Sequence, residues 1–282
     1  MNAEKIGRSS HPKTISKENP WVRRILVGMA LTYVGGLILS PVVALIFGAF
    51  QEGLGAIVDA LIQEDVLQAF RLTLWISLVV VILHLIFGVL TAWTLVRDRF
   101  PGRNLINGLI DLPFAVSPVV VGYMLLLLFG RNGLFAPLLA NLGIRVAFAV
   151  PGMILATLFV TLPFMIRELI PVLESLGINQ EQAAATMGAN GWQIFWKVTF
   201  PALRWGIIYG VMLTFARALG EFGAILVVGG GIQGRTETAT LYIYRALDER
   251  QYIGAYSAAL VLGLISFGLV IGTDLIRKRE RR

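Results

Sequence analysis

No cysteine occurs among these 282 residues. Disulfides, thiol nucleophiles and thiolate metal sites are therefore excluded, and the redox compartment leaves no mark on the chain. Histidine is nearly as scarce: His11 and His84 are the whole supply, and no His, Asp or Glu cluster shows metal-ligand spacing. Charge is thin as well. Charged residues make up 15% of the chain, where a soluble domain carries roughly a quarter. No serine-centred elbow or carboxylate pair marks a hydrolytic site, so an enzyme reading has no residues to stand on.

What fills the space is apolar. The chain is 56% hydrophobic with a mean hydropathy of +0.75. A helix crossing a bilayer needs ~20 mostly apolar residues. Six stretches reach that length, at about 25–50, 69–96, 104–130, 147–169, 202–228 and 253–276. The expected fold class is an all-α integral membrane protein with six transmembrane helices. The first stretch exceeds a signal-peptide core of ~7–15 residues and lacks a small-residue cleavage site, so it reads as a retained span. Residues 1–24 read as a cytoplasmic tail, 25–276 as the membrane domain and 277–282 as a basic cytoplasmic end.

The net charge is +7, but it sits at the ends of apolar segments and so fits an anionic lipid surface rather than nucleic acid. Basic residues also orient the spans. The tail, the 97–103 turn, the 167–204 segment and the C-terminus hold most of them, including Arg97, Arg99, Arg103, Arg167, Lys197 and Arg204. The opposite side holds Arg71, Arg131, Arg145, Arg235, Arg245 and Arg250. Both termini are then cytoplasmic, and so is the polar segment around Gln182.

Within the third span, Pro113 and Pro118 flank Phe114-Ala115-Val116-Ser117. Two prolines break the hydrogen-bond ladder twice, and lipid cannot satisfy the freed carbonyls. The region, Ser117 included, should face other helices or a water-filled path. In the fifth span, Arg217 and Glu221 lie four apart on one helix face. Each charge at mid-membrane costs ~2.5–3.5 kcal/mol on insertion scales. Pairing within the helix lowers that cost. The functional alternative makes them the wall of a solute path, with Arg217 attracting an anion and Glu221 holding it. Arg167 and Glu168, at the inner end of span four, read as a snorkelling interface pair. His84 reads as a hydrogen-bonded packing residue.

Gly229 to Thr236 comes close to a phosphate-binding loop, G-x-x-x-x-G-K-[ST]. Arg235 replaces the lysine, a spanning helix precedes it instead of a strand, and topology puts it outside. A flexible external turn is the expectation. Between spans four and five, the 171–201 segment reads as a helix-turn-helix built for close contact. Ala183 and Ala184 let another surface approach, Gly188 breaks the first helix, and Pro201 suits the first turn of the next.

This last segment resembles a known family. Gln182-Ala183-Ala184, three residues, Gly188, nine residues and Val198-Thr199-Phe200-Pro201 is similar to the EAA loop of permease subunits in bacterial ATP-binding-cassette importers. Val198 and Phe200 stand where Ile and Leu are common. Gln182 stands where glutamate is usual, so coupling here would rest on fit and hydrogen bonding instead of charge. Glu181 is one residue off, about 100° away around a helix. Asp111 to Val120 and Ala216 to Ala224 resemble sulfate and thiosulfate permeases of the CysW type; molybdate permeases are similar around Arg217 and Glu221.

The resemblance implies an importer type I, MetI-like permease fold in a bacterial inner membrane. It implies two copies of an ATP-binding-cassette ATPase, a second permease of the CysT type and a periplasmic sulfate-binding protein as partners, with no nucleic acid. This chain would bind no cofactor of its own, and ATP would be used by the ATPase. The coupling residues would be Gln182, Ala183, Ala184, Gly188 and Pro201, and the anion path would include Arg217, Glu221 and Ser117. A molybdate or tungstate permease is the nearest alternative. An ion-driven secondary transporter predicts midplane breaks in both halves, and only span three is clearly broken in the sequence. A third alternative is a membrane scaffold that anchors a cytoplasmic partner through the 171–201 segment.

Overall fold

A computed structural model describes residues 20–280, so the 1–19 part of the tail and residues 281–282 lie outside the described residues. The described residues are helical or irregular throughout. They fall into two units that divide between Phe47 and Gly48. The first unit is the apolar helix α1, Pro20–Phe50, up to that boundary. At ~1.5 Å per residue, α1 exceeds the ~30 Å of a hydrocarbon core.

The second unit is built around three long helices. A short α2, Gly53–Leu61, leads into α3, Glu64–Arg97. The third span is divided into α4, Arg103–Ala115, and α5, Pro118–Phe129. Then come α6, Ala136–Leu142, and the long α7, Val150–Leu176. Helix α8, Asn179–Thr186, and one turn of α9, Gly191–Ile194, run through a π-helical turn at Phe195–Thr199 into α10, Phe200–Leu219. The chain ends with α11, Gly223–Gly229, α12, Ala239–Asp248, and α13, Tyr252–Glu280. Among the described residues, five helical stretches are long and apolar enough to cross a membrane, or six if α4 and α5 count as one bent span.

Helices α3, α7 and α10 pack on one another. Their shared core holds Val89, Leu95, Met165, Leu169, Leu173 and Leu203, all buried. Lipid is as apolar as these side chains, so close packing and interhelical hydrogen bonds carry the association. His84 of α3 supplies one such bond, with Nε2 2.9 Å from Thr161 Oγ1 of α7. That is the packing role expected of it.

The break in the third span lies at Pro118 alone; Pro113, expected to break it as well, lies inside α4. Pro118 has no N–H to give, and a residue before proline is pushed out of the α region. Val116 and Ser117 are extended, at φ −96°, ψ 131° and φ −60°, ψ 135°. The helices on either side bend by 113°. A second break was not expected. Instead of one span over 202–228, α10 stops at Leu219 and α11 restarts at Gly223. The reason is tertiary: α11 packs against α5, and Glu221 accepts the Ala224 N–H at 3.1 Å, starting a new helix at that point.

At the end of the bundle that carries the start of α3, one arginine ties three elements together. Arg245 of α12 binds Glu237 through Nε at 2.6 Å and Nη2 at 3.2 Å. It also reaches Asp65 of α3 at 3.1 Å and Glu249 at 3.0 Å. The hydrogen bonds to Glu237 hold the guanidinium pKa above its usual range. Glu237 is almost wholly buried, its side chain 2% exposed. Arg245→Ala therefore leaves a buried carboxylate uncompensated and should cost ~3–5 kcal/mol. Thermal unfolding in detergent checks this; Arg245→Lys should recover only part, because an ammonium lacks the two-pronged fork.

Candidate functional site

Two places combine exposed chemistry with a built framework. The first is the helix-turn-helix between α7 and α10. Helix α8 ends because Gly188 takes φ +85°, a conformation that side chains resist. Its N–H reaches Ala185 O at 3.0 Å, and Ala189 N–H reaches Ala184 O at 3.1 Å, so the last carbonyls are satisfied. Asn190 then caps α9 reciprocally with Gln193: Gln193 N–H donates to Asn190 Oδ1 at 2.9 Å, and Asn190 N–H to Gln193 Oε1 at 3.0 Å. Pro201 is the second residue of α10, directly after the π-helical turn in a helical run that begins at Gly191, so, contrary to expectation, it does not open a new helix.

The two alanines divide the work. Ala184 is buried against the chain, whereas Gln182, Ala183 and Gly188 face outward. Beside them Met187 and Trp192 are 82% and 72% exposed. On the inner side, Trp93 of α3 meets Phe195 edge-on at 5.4 Å, while the exposed Trp196 packs on Phe200 at 4.9 Å. The result is a firmly seated turn with an apolar, small-residue outer face. One residue that sequence reasoning set aside is central here. Glu181 faces inward, accepting Thr199 Oγ1 at 2.8 Å and lying 2.9 Å from Arg97 Nε of α3.

The second place is where the two breaks adjoin. Gly122 of α5 lies so close to α11 that a Cβ there would stand 2.7 Å from Ala224 O and 2.7 Å from Val227 Cβ. Gly223 is packed less tightly against α5, where a Cβ would stand 3.2 Å from Pro118 Cβ and 3.2 Å from Val119 Cγ2. Ser117 is exposed at the start of α5 and makes no capping bond with its side chain. Arg217 Nη1 lies 2.9 Å from Glu221 Oε2. The guanidinium side chain is 31% exposed and the carboxylate 1%. Glu221 also receives the Ala224 N–H, and its backbone carbonyl accepts Thr240 Oγ1 at 2.8 Å. The pair is therefore not a motif on one continuous helix, as its spacing implied, but sits at the helix break. Glu221 turns inward, and Arg217 keeps the exposed part of the pair.

Two further expectations change. Arg167 does not pair with Glu168 at an interface. It grips Asp111 of α4 with Nε at 2.7 Å and Nη2 at 2.6 Å, and its Nη2 also donates to Asn107 O at 2.8 Å. The 229–236 loop is not a loose turn either. Thr236 donates its hydroxyl to Gly229 O at 2.7 Å and accepts Ile232 N–H at 2.9 Å. The hydroxyl that a phosphate loop would offer outward is consumed within the loop.

Comparison with known proteins gives a consistent picture. The family model described as "Binding-protein-dependent transport system inner membrane component" matches residues 84–282. The sulfate transport system permease protein CysW of Synechococcus elongatus is 47% identical over 257 residues, covering 91% of this chain and 90% of that protein. The sulfate transport system permease protein CysT of Escherichia coli is 38% identical over 256 residues, covering 91% and 92%. Among solved structures, a bacterial alginate ABC transporter in complex with alginate pentasaccharide-bound periplasmic protein superposes with a TM-score of 0.75. It covers 92% of this chain and 94% of that one at 18% identity, which speaks to the fold.

Proposed function

The chain belongs to the family of binding-protein-dependent transport system inner membrane components, and from that premise we propose that it is the membrane-spanning permease subunit of an ATP-driven sulfate and thiosulfate importer. It is a multi-pass protein of an inner-membrane transport system. The observation that carries the substrate is the 47% identity to a sulfate permease across nine-tenths of both chains. That this chain is similar to both CysW and CysT proteins supports a pair of related permeases in one complex. The family's dependence on a binding protein supports a soluble sulfate-binding partner on the outer face.

Energy enters from a separate ATPase, which docks on the outer face of the α8–α9 turn. Gln182 and Ala183 offer a flat neutral contact there, with Met187 and Trp192 as apolar anchors beside them. The basic residues of the tail, the 97–103 turn and the C-terminus, with Arg167, Lys197 and Arg204 flanking this turn, support a cytoplasmic place for it and for both termini. Closure of the ATPase pushes the turn, and α7 and α10, which flank it in the chain, carry the push into the bundle. Sulfate is a tetrahedral dianion. A guanidinium paired in charge with a buried carboxylate suits it, because the carboxylate keeps the guanidinium at the break while its exposed side remains for the solute. In this reading Arg217 meets the anion, Glu221 orients Arg217, and Ser117 lines the path beside them.

Reconstitution tests the reading. A complex of this chain with its ATPase, second permease and binding protein should hydrolyse ATP several-fold faster when sulfate is added. Stimulation by molybdate with no response to sulfate would transfer the chain to the molybdate permeases. Purification of the tagged chain from mild detergent without any ATPase would remove the importer reading altogether.

A further inference from the structure

Resting on the importer reading above, we infer that Glu181 is a positioning residue that locks the docking helix α8 to the bundle through Arg97 and Thr199. Glu181 sits in the first turn of α8, where a carboxylate also suits the helix dipole. One of its oxygens accepts the Thr199 hydroxyl at 2.8 Å, from the π-helical turn that feeds α10. The other lies 2.9 Å from Arg97 Nε, at the last residue of α3. That contact is a charge pair and not an aligned hydrogen bond, since the Nε–H has no acceptor in line. The same guanidinium donates from Nη2 to Gly177 O at 2.7 Å, in the link between α7 and α8.

One carboxylate and one arginine thus join α3, α8, the α7–α8 link and the entry to α10. The pair is largely withdrawn from water: the side chains are 12% and 18% exposed, and Thr199 is buried. An exposed ion pair would contribute little to holding α8 in place; this one is shielded and has directed partners. The need for it is plain from the backbone. Helix α8 is joined at both ends by glycines with positive φ, Gly177 at +60° and Gly188 at +85°. It has only eight residues. Left to those links, it would swing when pushed, and the push would be lost. With Glu181 in place, displacement of α8 is delivered to α3 through Arg97 and to α10 through Thr199. Gln182 faces the partner while its neighbour, about 100° around the helix, faces the bundle, so docking and transmission belong to adjacent residues.

The test is the amount of sulfate moved per ATP hydrolysed in purified, fully assembled complexes. In Glu181→Gln and Arg97→Gln complexes, ATP hydrolysis should continue while that ratio falls about tenfold, and the double variant should be no worse than either single one, as for residues acting as one unit. Thr199→Val, which removes only the hydroxyl, should lower the ratio less, and it serves as the comparison if a charge variant does not assemble. A merely structural role would lower yield and leave the ratio in assembled complexes unchanged; that result, or additive losses in the double variant, would overturn the inference. If the unmodified complex shows no sulfate-stimulated hydrolysis, the importer reading fails first; if it does and the variants couple as well, only this inference fails.

Discussion

Gly122→Leu should abolish sulfate uptake and lower the thermal stability of the purified protein. The Cβ alone would stand 2.7 Å from a backbone oxygen of α11 and 3.3 Å from the Ala224 Cα. A flexible side chain can step aside, but a helix backbone cannot, so α5 and α11 must separate. Overpacking of this kind costs ~1–3 kcal/mol even for small additions, so Gly122→Ala should already show part of the effect. A leucine adds a branched side chain with nowhere to go. The two breaks lie beside this contact, so Ser117 and Glu221 would be displaced with it. Gly108→Ala is the matching control. Gly108 is exposed in α4 with nothing near its Cβ position, and alanine there should stabilise by up to ~1 kcal/mol. Full uptake in Gly122→Leu would mean the two half-helices do not work as a packed pair.

Arg217→Ala should be nearly as damaging, for two separable reasons. It strands the Glu221 carboxylate, 1% exposed, without its counter-charge. Breaking a buried pair from one side costs ~3–5 kcal/mol. It also removes the positive charge proposed to meet the anion. The pair Arg217→Met with Glu221→Gln separates these effects. Both charges are then gone and the amide oxygen can still accept the Ala224 N–H, so most of the stability should return. Uptake should not return. If uptake recovers together with stability, Arg217 is a structural partner of Glu221 and nothing more. Thermal unfolding and uptake measured on the same preparations decide it.

How much of this was legible in the sequence follows from what is local and what is not. Apolar length gave the spans, and the break at Pro118 was readable because proline acts on its own neighbours. The end of α8 at Gly188 was readable for the same reason. The second break was hidden, because Ala-Leu-Gly-Glu-Phe-Gly contains no proline and continues an apolar run. Its cause is a close approach of α5 from about a hundred residues earlier, and only Gly220 and Gly223 hinted at it. Arg167 and Asp111 are 56 residues apart and Arg245 and Asp65 are 180 apart, beyond any periodicity. Asp111 did carry a signal, since a lone acid in an apolar segment calls for a partner. Glu181 carried one too. The 100° turn that disqualified it as an outward contact is the same turn that points it inward to Arg97 and Thr199.

The central claim is that this chain moves sulfate only as the channel half of an ATP-driven machine. Proteoliposomes test it most directly, with labelled sulfate and the sulfate-binding protein on one side and ATP supplied on the side of the α8–α9 turn. Sulfate should accumulate only when the ATPase, the binding protein and ATP are all present, and should stop when ATP is replaced by an analogue that cannot be hydrolysed. Accumulation by this chain alone, driven by an ion gradient and indifferent to ATP, would contradict it.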